Sequence, residues 1–254
     1  MRTDQIDQTW SNLLATGTDP AAEFDPSRLA GLPSPAIRWL TYAIPAGTPL
    51  STVVQLTMEG EIRLNKPWLP FTADQVLHAG HGLVWRPVVG GKVLRFVGAD
   101  MLGPAGARME FWLHGLVPVV RASGPDVDRS AAGRLAAETV AWLPQALTPQ
   151  TKTHWTAIDE NRATVHVRTP NETIPVEVTI SPEGQLRRIG LQRWTDSTDP
   201  PQHKPFGGTV TAEYVTTSGI HIAGQGSVGW EWNTAAQTDG EFFRYTITCA
   251  KPLP

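Results

Sequence analysis

Three side chains at successive four-residue steps, Arg134, Glu138 and Trp142, stand out in the stretch GRLAAETVAWLPQAL. On a helix, residues four apart lie on neighbouring turns, so Arg134 can pair with Glu138. At about 100° per residue, Glu138 lies close to the apolar stripe formed by Leu135 and Trp142. This placement allows two interpretations. The pair is a boundary ion pair that stabilises the helix, or Glu138 is a cavity-rim carboxylate with an altered pKa that acts as an acid or base.

Tryptophan and arginine recur together in the segments that look like strands, and the chain has ten Trp. Residues two apart on a strand share a face, so Trp230 and Trp232 are expected on the same side. The set indicates either a Trp-rich core with a charged outer face, or a Trp-walled pocket in which Arg receives an anionic head group. For the pocket, the predicted ligand-binding residues are Trp85, Arg86, Arg134, Glu138, Trp142, Arg193, Trp230 and Trp232.

Other motifs give weaker signals. GQGSVG, at 224–229, matches the dinucleotide pattern, but WEWNT comes after it where a helix would have to begin, so a glycine-rich strand turn or bulge is favoured. His78 and His81 come with no clear third ligand for a metal. No G-x-S-x-G motif occurs. The sequence therefore predicts no cofactor, no metal and no complete catalytic set.

From residue 51 onward, apolar and polar side chains alternate with the period of a strand, beginning in TVVQLTMEGEIRL. This first segment is either one long half-buried strand or a hairpin bent at Gly60. Short turns such as VVGGKV and SPEGQ separate the segments, which favours antiparallel pairing. The strand candidates after the first are GLVWRPVV, KVLRFVGADML, ARMEFWLHGLVPVV, KTHWTAI, RATVHVRT, IPVEVTI, QLRRIGLQRW, GTVTAEYVTT, GIHIAG, SVGWEW and EFFRYTIT.

These elements predict a mainly β fold with roughly eleven strands, in which a large curved antiparallel sheet or half-barrel carries one crossing helix at about 126–143. Residues 1–48 have helical spacing interrupted by proline and predict a short helical N-terminal arm. The predicted domains are this arm and a curved β domain over 49–254.

Composition narrows the class of partner. The chain has 254 residues, a net charge of −3 and one Cys. It lacks a basic footprint for nucleic acid, has no apolar run of the roughly 20 residues that span a membrane, and cannot form an intrachain disulfide. Because its first residues also lack a signal-peptide pattern, a cytoplasmic location is expected. The oligomeric state stays open.

The segments LPSPAIRWL, LRFVGADML, RLAAETVAWLPQAL and EGQLRRI together resemble an uncharacterised bacterial domain family of about this size. The resemblance runs from about residue 32 to residue 247, and WLPQAL is its most specific piece. That family has no established biochemical activity, so the resemblance implies a shape and no reaction. The implied shape is similar to the half-barrel of periplasmic lipoprotein carriers, although this sequence shows no secretion signal.

These patterns are compatible with three function classes. The first, which we favour, is a protein that binds a hydrophobic or amphipathic, lipid-like small molecule on the concave face of the sheet. The second is an enzyme that acts on a small apolar substrate through Glu138, with Arg134 orienting the carboxylate. The third is a protein-interaction module without a small ligand.

Overall fold

The computed structural model describes residues 2–15, 22–64 and 67–253. The strands are Val53–Arg63 (β1), Trp68–His78 (β2), Gly82–Gly90 (β3), Arg95–Gly103 (β4), Gly106–Leu113 (β5), Val117–Ser123 (β6), His154–Ala157 (β7), Arg162–Arg168 (β8), Thr173–Ile180 (β9), Leu186–Thr195 (β10), Gln202–Val215 (β11), His221–Trp230 (β12) and Glu241–Leu253 (β13). The helices are Arg2–Ala15 (α1), Ser34–Ala43 (α2), Pro125–Trp142 (α3) and Gln237–Gly240 (α4), with 3-10 helices at Pro26–Leu29, Pro144–Leu147 and Pro149–Thr151.

The described strands form a single antiparallel sheet in the order β6-β5-β4-β3-β2-β1-β13-β12-β11-β10-β9-β8-β7. The chain builds the first half outward from the centre, from β1 to the edge strand β6. It crosses through α3 to the opposite edge, β7, and builds the second half inward until β13 pairs with β1. One helix therefore joins the two edges of the sheet, and it contacts strands of both halves. The predicted curved antiparallel sheet with one crossing helix is confirmed.

Helices lie on both faces of the sheet. Gln75 of β2 hydrogen-bonds to α3, whereas the next residue, Val76, packs in a separate small core with Leu13 of α1. Because neighbouring strand residues point to opposite faces, α1 covers the face opposite α3. Helix α2 lies on the α3 side, where Trp39 packs edge-on against Trp155 with 5.9 Å between ring centroids.

The two helices of the predicted N-terminal arm thus pack on opposite faces of the sheet. Residues 16–21, between the first helix and the segment that begins at residue 22, lie outside the described residues. The boundary between residues 48 and 49 stays a prediction, as does the division into two domains.

Both ends of α3 are fixed to the sheet. In its first turn, Asp126 Oδ1 accepts a hydrogen bond from Trp194 Nε1 of β10 (2.8 Å), and Asp128 Oδ1 accepts one from a backbone N–H of β5 (2.5 Å). In its last turn, Trp142 Nε1 donates to a backbone carbonyl of β12 (3.1 Å). These anchors set the height of the helix above the concave face.

The structure contains more strands than the sequence patterns predicted. Strand β2 was not predicted, because Pro70 and the polar residues Gln75 and His78 interrupt the apolar pattern, although both polar side chains are buried. Strands β5 and β6 were predicted as one segment, but they separate at a tight turn where His114 and Gly115 both have positive φ. The segments GIHIAG and SVGWEW instead belong largely to one strand, β12, because strand pairing continues through the glycines.

Candidate functional site

A cavity of about 430 Å³ lies between α3 and the concave face of the sheet. Both halves of the sheet contribute its walls, and most of the lining is apolar or aromatic. Representative lining residues are Trp85, Phe96 and Phe111 from the first half, and Ile189, Phe206 and Phe243 from the second. This volume is in the range of small-molecule sites in proteins, about 300–1,000 Å³.

The structure brings five of the eight predicted ligand-binding residues together. The residues that line this cavity are Trp85, Arg134, Glu138, Trp142 and Arg193. They come from β3, α3 and β10, so the helix and the two halves of the sheet all contribute. Their role in binding a ligand stays a prediction.

Arg86 lies away from the cavity. Alternation along β3 directs Trp85 to the concave face and Arg86 to the outer face. There the Arg86 guanidinium lies 4.3 Å from the ring centroid of Trp10 on α1, and its Nη2 lies 2.8 Å from Asp7 Oδ1. Arg86 therefore fastens α1 to the sheet, and including it in one pocket with Trp85 was wrong.

The predicted pairing of Trp230 and Trp232 on one side was also wrong. Trp230 lies on the concave side but outside the cavity wall, packed edge-on against Phe206 with 5.0 Å between ring centroids. After β12 ends, Glu231 adopts a φ of 56°, so strand alternation no longer applies to Trp232. The Trp232 ring lies over the Gly190–Gly207 pair, where a Cβ on Gly207 would be 2.5 Å from its Cγ.

A network of charged and polar side chains joins α3 to strands β2 and β4 of the sheet. Arg134 donates from Nε to Glu138 Oε1 and from Nη1 to Asp100 Oδ2, both at 2.6 Å. Glu138 Oε2 accepts a third hydrogen bond, from Gln75 Nε2 (2.6 Å). Burial lowers the pKa of Arg134, but attraction to Glu138 and Asp100 outweighs burial and holds that pKa above its ordinary value. The predicted Arg134–Glu138 ion pair is present, and each Glu138 oxygen already accepts a hydrogen bond.

Arg193 reaches the same cavity from β10 without a carboxylate within ion-pairing distance among the described residues. Its Nε donates to Ser130 O (3.0 Å), and its guanidinium carbon lies 4.5 Å from the ring centroid of Phe206. Gly133 makes room for it, since a Cβ there would be 2.8 Å from Arg193 Cγ. Burial and the Arg134 cation lower the pKa of Arg193 to about 10, so the side chain is still a cation at neutral pH.

Three hydroxyl groups add polar contacts to the second half of the cavity. Thr209 Oγ1 and Ser227 Oγ share a hydrogen bond of 3.2 Å, and both residues line the cavity with Tyr245. Burial, and to a smaller extent the Glu138 charge, raise the pKa of Tyr245 above its ordinary value. Its hydroxyl therefore stays protonated and can donate a hydrogen bond.

Five polar residues at this site were not predicted from the sequence: Asp100, Gln75, Thr209, Ser227 and Tyr245. Asp100 is buried on β4 and pairs across 34 positions of sequence with Arg134. A buried carboxylate within the apolar run LRFVGADML is the one signal that could have suggested a partner for it. Gln75 and Tyr245 carry no comparable signal, because their roles depend on which strand face α3 covers.

Two further motifs fall outside the cavity. The GQGSVG stretch lies inside β12. The rings of His78 and His81 lie 4.1 Å apart between centroids, and the described residues contain no group of three or more His, Cys, Asp or Glu side chains that could hold a metal. Among the helices of the described residues, none is long and apolar enough to cross a membrane.

An open, curved antiparallel sheet with an apolar cavity beneath one crossing helix thus defines the class of this protein. A family model matches residues 22–242, and the chain belongs to that family, DUF6544, a family of unknown function. A search of curated proteins gives no match.

Three solved structures have a similar overall shape. A domain described as an outer membrane lipoprotein-sorting protein, from Vibrio parahaemolyticus, is 7% identical, with a TM-score of 0.42, and the match covers 78% of this chain and 84% of that one. A LolA superfamily protein from Nitrosomonas europaea is 6% identical, with a TM-score of 0.45 and coverage of 87% and 93%. A DUF1329 family protein from Desulfovibrio piger is 11% identical, with a TM-score of 0.41 and coverage of 80% and 86%.

Proposed function

We propose that this protein binds an amphipathic small molecule with an anionic head group and an apolar body, in the cavity between α3 and the sheet. The observation that carries the proposal is Arg193, a cation that faces a mostly apolar cavity and has no carboxylate within ion-pairing distance among the described residues. A buried charge is costly unless it is paired. A carboxylate or phosphate on the ligand would supply the missing partner, in the two-pronged geometry that arginine favours.

The two arginines of the cavity are not equivalent in this respect. Arg134 already pairs with Glu138 and Asp100, so it has little capacity left for a ligand. Arg193 uses only its Nε for a hydrogen bond within the described protein. Its two terminal nitrogens therefore remain for a ligand oxygen. Trp85, Phe206 and their aromatic neighbours then cover the apolar body of the molecule.

The enzyme hypothesis has less support from this geometry. A general acid or base needs to reach a proton on the substrate. Glu138 instead accepts hydrogen bonds on both oxygens, from Arg134 and Gln75. It is better placed to hold α3 on the sheet than to exchange protons with a substrate.

The first test is a matched pair of probe ligands, palmitate and cetyl alcohol, titrated against the intrinsic Trp fluorescence of the protein. Trp85 and Trp142 line the cavity, so an occupant changes their emission. We expect palmitate to bind, and Arg193→Met to weaken palmitate by roughly tenfold or more while changing the affinity for cetyl alcohol little. Arg188→Met is the control, because Arg188 lies on the same strand but stacks on Trp232 outside the cavity.

The pH dependence gives a second readout of the same contact. The pKa of Arg193 in the folded protein is about 10, and a cation is lost as the pH rises through its pKa. Palmitate affinity should therefore hold from neutral pH to about pH 9 and fall at higher pH, with a bound anion shifting the fall further upward. The affinity for cetyl alcohol should stay flat over the same range.

A cavity-filling variant tests the location of the apolar body. Ala137 lines the cavity from α3, and Ala137→Phe would occupy part of its volume. We expect this variant to weaken both probes, whereas Ala235→Phe, at an exposed site, should weaken neither. No binding of either probe by the wild type, or equal palmitate affinity in Arg193→Met, would overturn the proposal.

A further inference from the structure

Two neighbouring hairpin tips expose an apolar patch beside the mouth of the cavity. The patch, called here the tip patch, consists of Val93 and Leu94 at the β3–β4 turn with Leu116 and Val117 at the β5–β6 turn. Their exposed fractions are 91% for Val93, 42% for Leu94, 83% for Leu116 and 56% for Val117. Clustered exposed apolar side chains are typical of an interaction surface.

The two tips are held together as one surface. The backbone N–H of His114 donates to Arg95 O (2.7 Å), and His114 Nε2 lies at hydrogen-bond distance, 3.1 Å, from Val93 O. The patch continues into the cavity mouth through Val119 and Val120, which line the cavity and are 45% and 39% exposed.

The charge around the tips has one sign. Lys92, Arg95 and Arg121 are exposed, and the segments 90–98 and 112–122 contain no Asp or Glu. The nearest acid along β5 is Glu110, which lies opposite Arg121 in the β5–β6 ladder and 3.7 Å from Arg108. The cations at the tips themselves are therefore Lys92 and Arg95. A local positive charge on a chain whose net charge is −3 points to an anionic partner.

We propose that the tip patch docks on an anionic lipid bilayer, with the exposed apolar side chains entering the interface and Lys92 and Arg95 meeting acidic head groups. Apolar side chains flanked by Lys and Arg are the combination that binds such surfaces. This goes beyond the proposed function, because the surface can bind vesicles whether or not the cavity accepts a ligand. If both hold, docking brings the cavity mouth against the lipid.

A second copy of the chain fits the patch less well. The edge strand β6 contains Pro118, which has no N–H for strand pairing, and its ladder with β5 shifts register between Phe111 and Trp112. Prolines and bulges at an edge oppose strand addition. The cations of two copies would also repel one another at this surface.

The test is sedimentation of the full chain with vesicles of phosphatidylcholine, with and without phosphatidylglycerol, at low and high salt. We expect the protein to sediment with the phosphatidylglycerol vesicles at low salt, less at high salt, and less with phosphatidylcholine alone. The double variant Val93→Asp/Leu116→Asp should weaken binding at least tenfold. Lys92→Gln/Arg95→Gln should remove most of the difference between the two vesicle types.

Two controls separate docking from other effects. Val215→Asp/Ile158→Asp places the same charges at exposed apolar residues, 51% and 41% exposed, outside the tip patch, and should bind vesicles nearly as well as the wild type. Ala137→Phe should also keep vesicle binding, because the cavity is not the contact; its loss would mean that vesicle binding reports lipid uptake and would overturn docking.

Wild type that stays in the supernatant with both vesicle types at low salt would overturn the proposal. Light scattering that shows a dimer abolished by Leu116→Asp would overturn it as well, since the patch would then be an interface between copies.

Discussion

Two arginines share the cavity but differ in what surrounds them. Arg134 is neutralised by two carboxylates at 2.6 Å, whereas Arg193 stacks on Phe206 and donates only to a backbone carbonyl within the described residues. Arg134 therefore holds α3 on the sheet, whereas the charge of Arg193 has no carboxylate partner among the described residues. The difference in direction of their pKa shifts, upward for Arg134 and downward for Arg193, reflects these surroundings.

The stability of a single variant tests whether Glu138 has a structural role. In Glu138→Gln, Arg134 keeps Asp100 but loses one of its two anionic partners, so we expect the free energy of unfolding to fall by about 1–3 kcal/mol. The control is Glu177→Gln, which removes an exposed carboxylate 3.3 Å from Arg162 and should change that free energy by less than about 0.5 kcal/mol. Urea denaturation measures both. A Glu138→Gln protein as stable as the control would instead favour a chemical role for this carboxylate.

At the scale of elements, the pairing of β1 with β13 joins the two halves of the sheet. Gly60 of β1 lies against β13 so closely that an added Cβ would be 2.0 Å from the carbonyl oxygen of Arg244. The contact atom is backbone, so no side chain can move away to relieve the clash. Gly60 is thus required because β1 and β13 approach each other closely at this position. The strand does not bend there, since β1 continues to Arg63.

Gly60→Ala should therefore destabilise the protein, by about 2–4 kcal/mol, because the two central strands must separate locally to admit the methyl group. Gly91→Ala is the matched control: no atom lies within 4 Å of its added Cβ, and its φ is not positive. The control should change the free energy of unfolding by no more than about 0.5 kcal/mol. Thermal and urea unfolding measure the stabilities of both variants. If Gly60→Ala were as stable as Gly91→Ala, the close approach of β1 to β13 at Gly60 would not be important for stability.

At the scale of the whole molecule, the topology makes the two halves depend on each other. Val53 at the start of β1 pairs with Leu253 at the end of β13, and α3 contacts strands of both halves. The cavity exists only when the two halves and the helix are assembled, since each contributes lining residues. The site is thus a property of the complete sheet.

This arrangement predicts one cooperative unfolding transition. Trp85 reports on the first half, Trp155 on the second and Trp142 on the helix, so tryptophan fluorescence samples all three. We expect the urea midpoints from fluorescence and from far-ultraviolet circular dichroism to coincide. Separate midpoints, or a plateau between two transitions, would show that one half unfolds before the other.

Features that depend on local periodicity could be predicted from the sequence alone. Alternation along β1 predicted a strand, and four-residue spacing predicted both α3 and the Arg134–Glu138 pair. These predictions succeed because side-chain direction repeats every two residues in a strand and about every 3.6 in a helix, so near neighbours reveal it. The number of strands and their short turns were enough to predict the curved antiparallel architecture.

Contacts between side chains far apart in sequence depended instead on the folded chain. Asp100 and Gln75 joined the Arg134 network because α3 crosses the face that their strands present. Trp232 left the predicted pocket because a positive φ at Glu231 ended the alternation. Strand order and the path of the crossing helix set these contacts, and neither can be deduced from a local pattern. The same global geometry left Arg193 as the arginine of the cavity that has no carboxylate partner among the described residues.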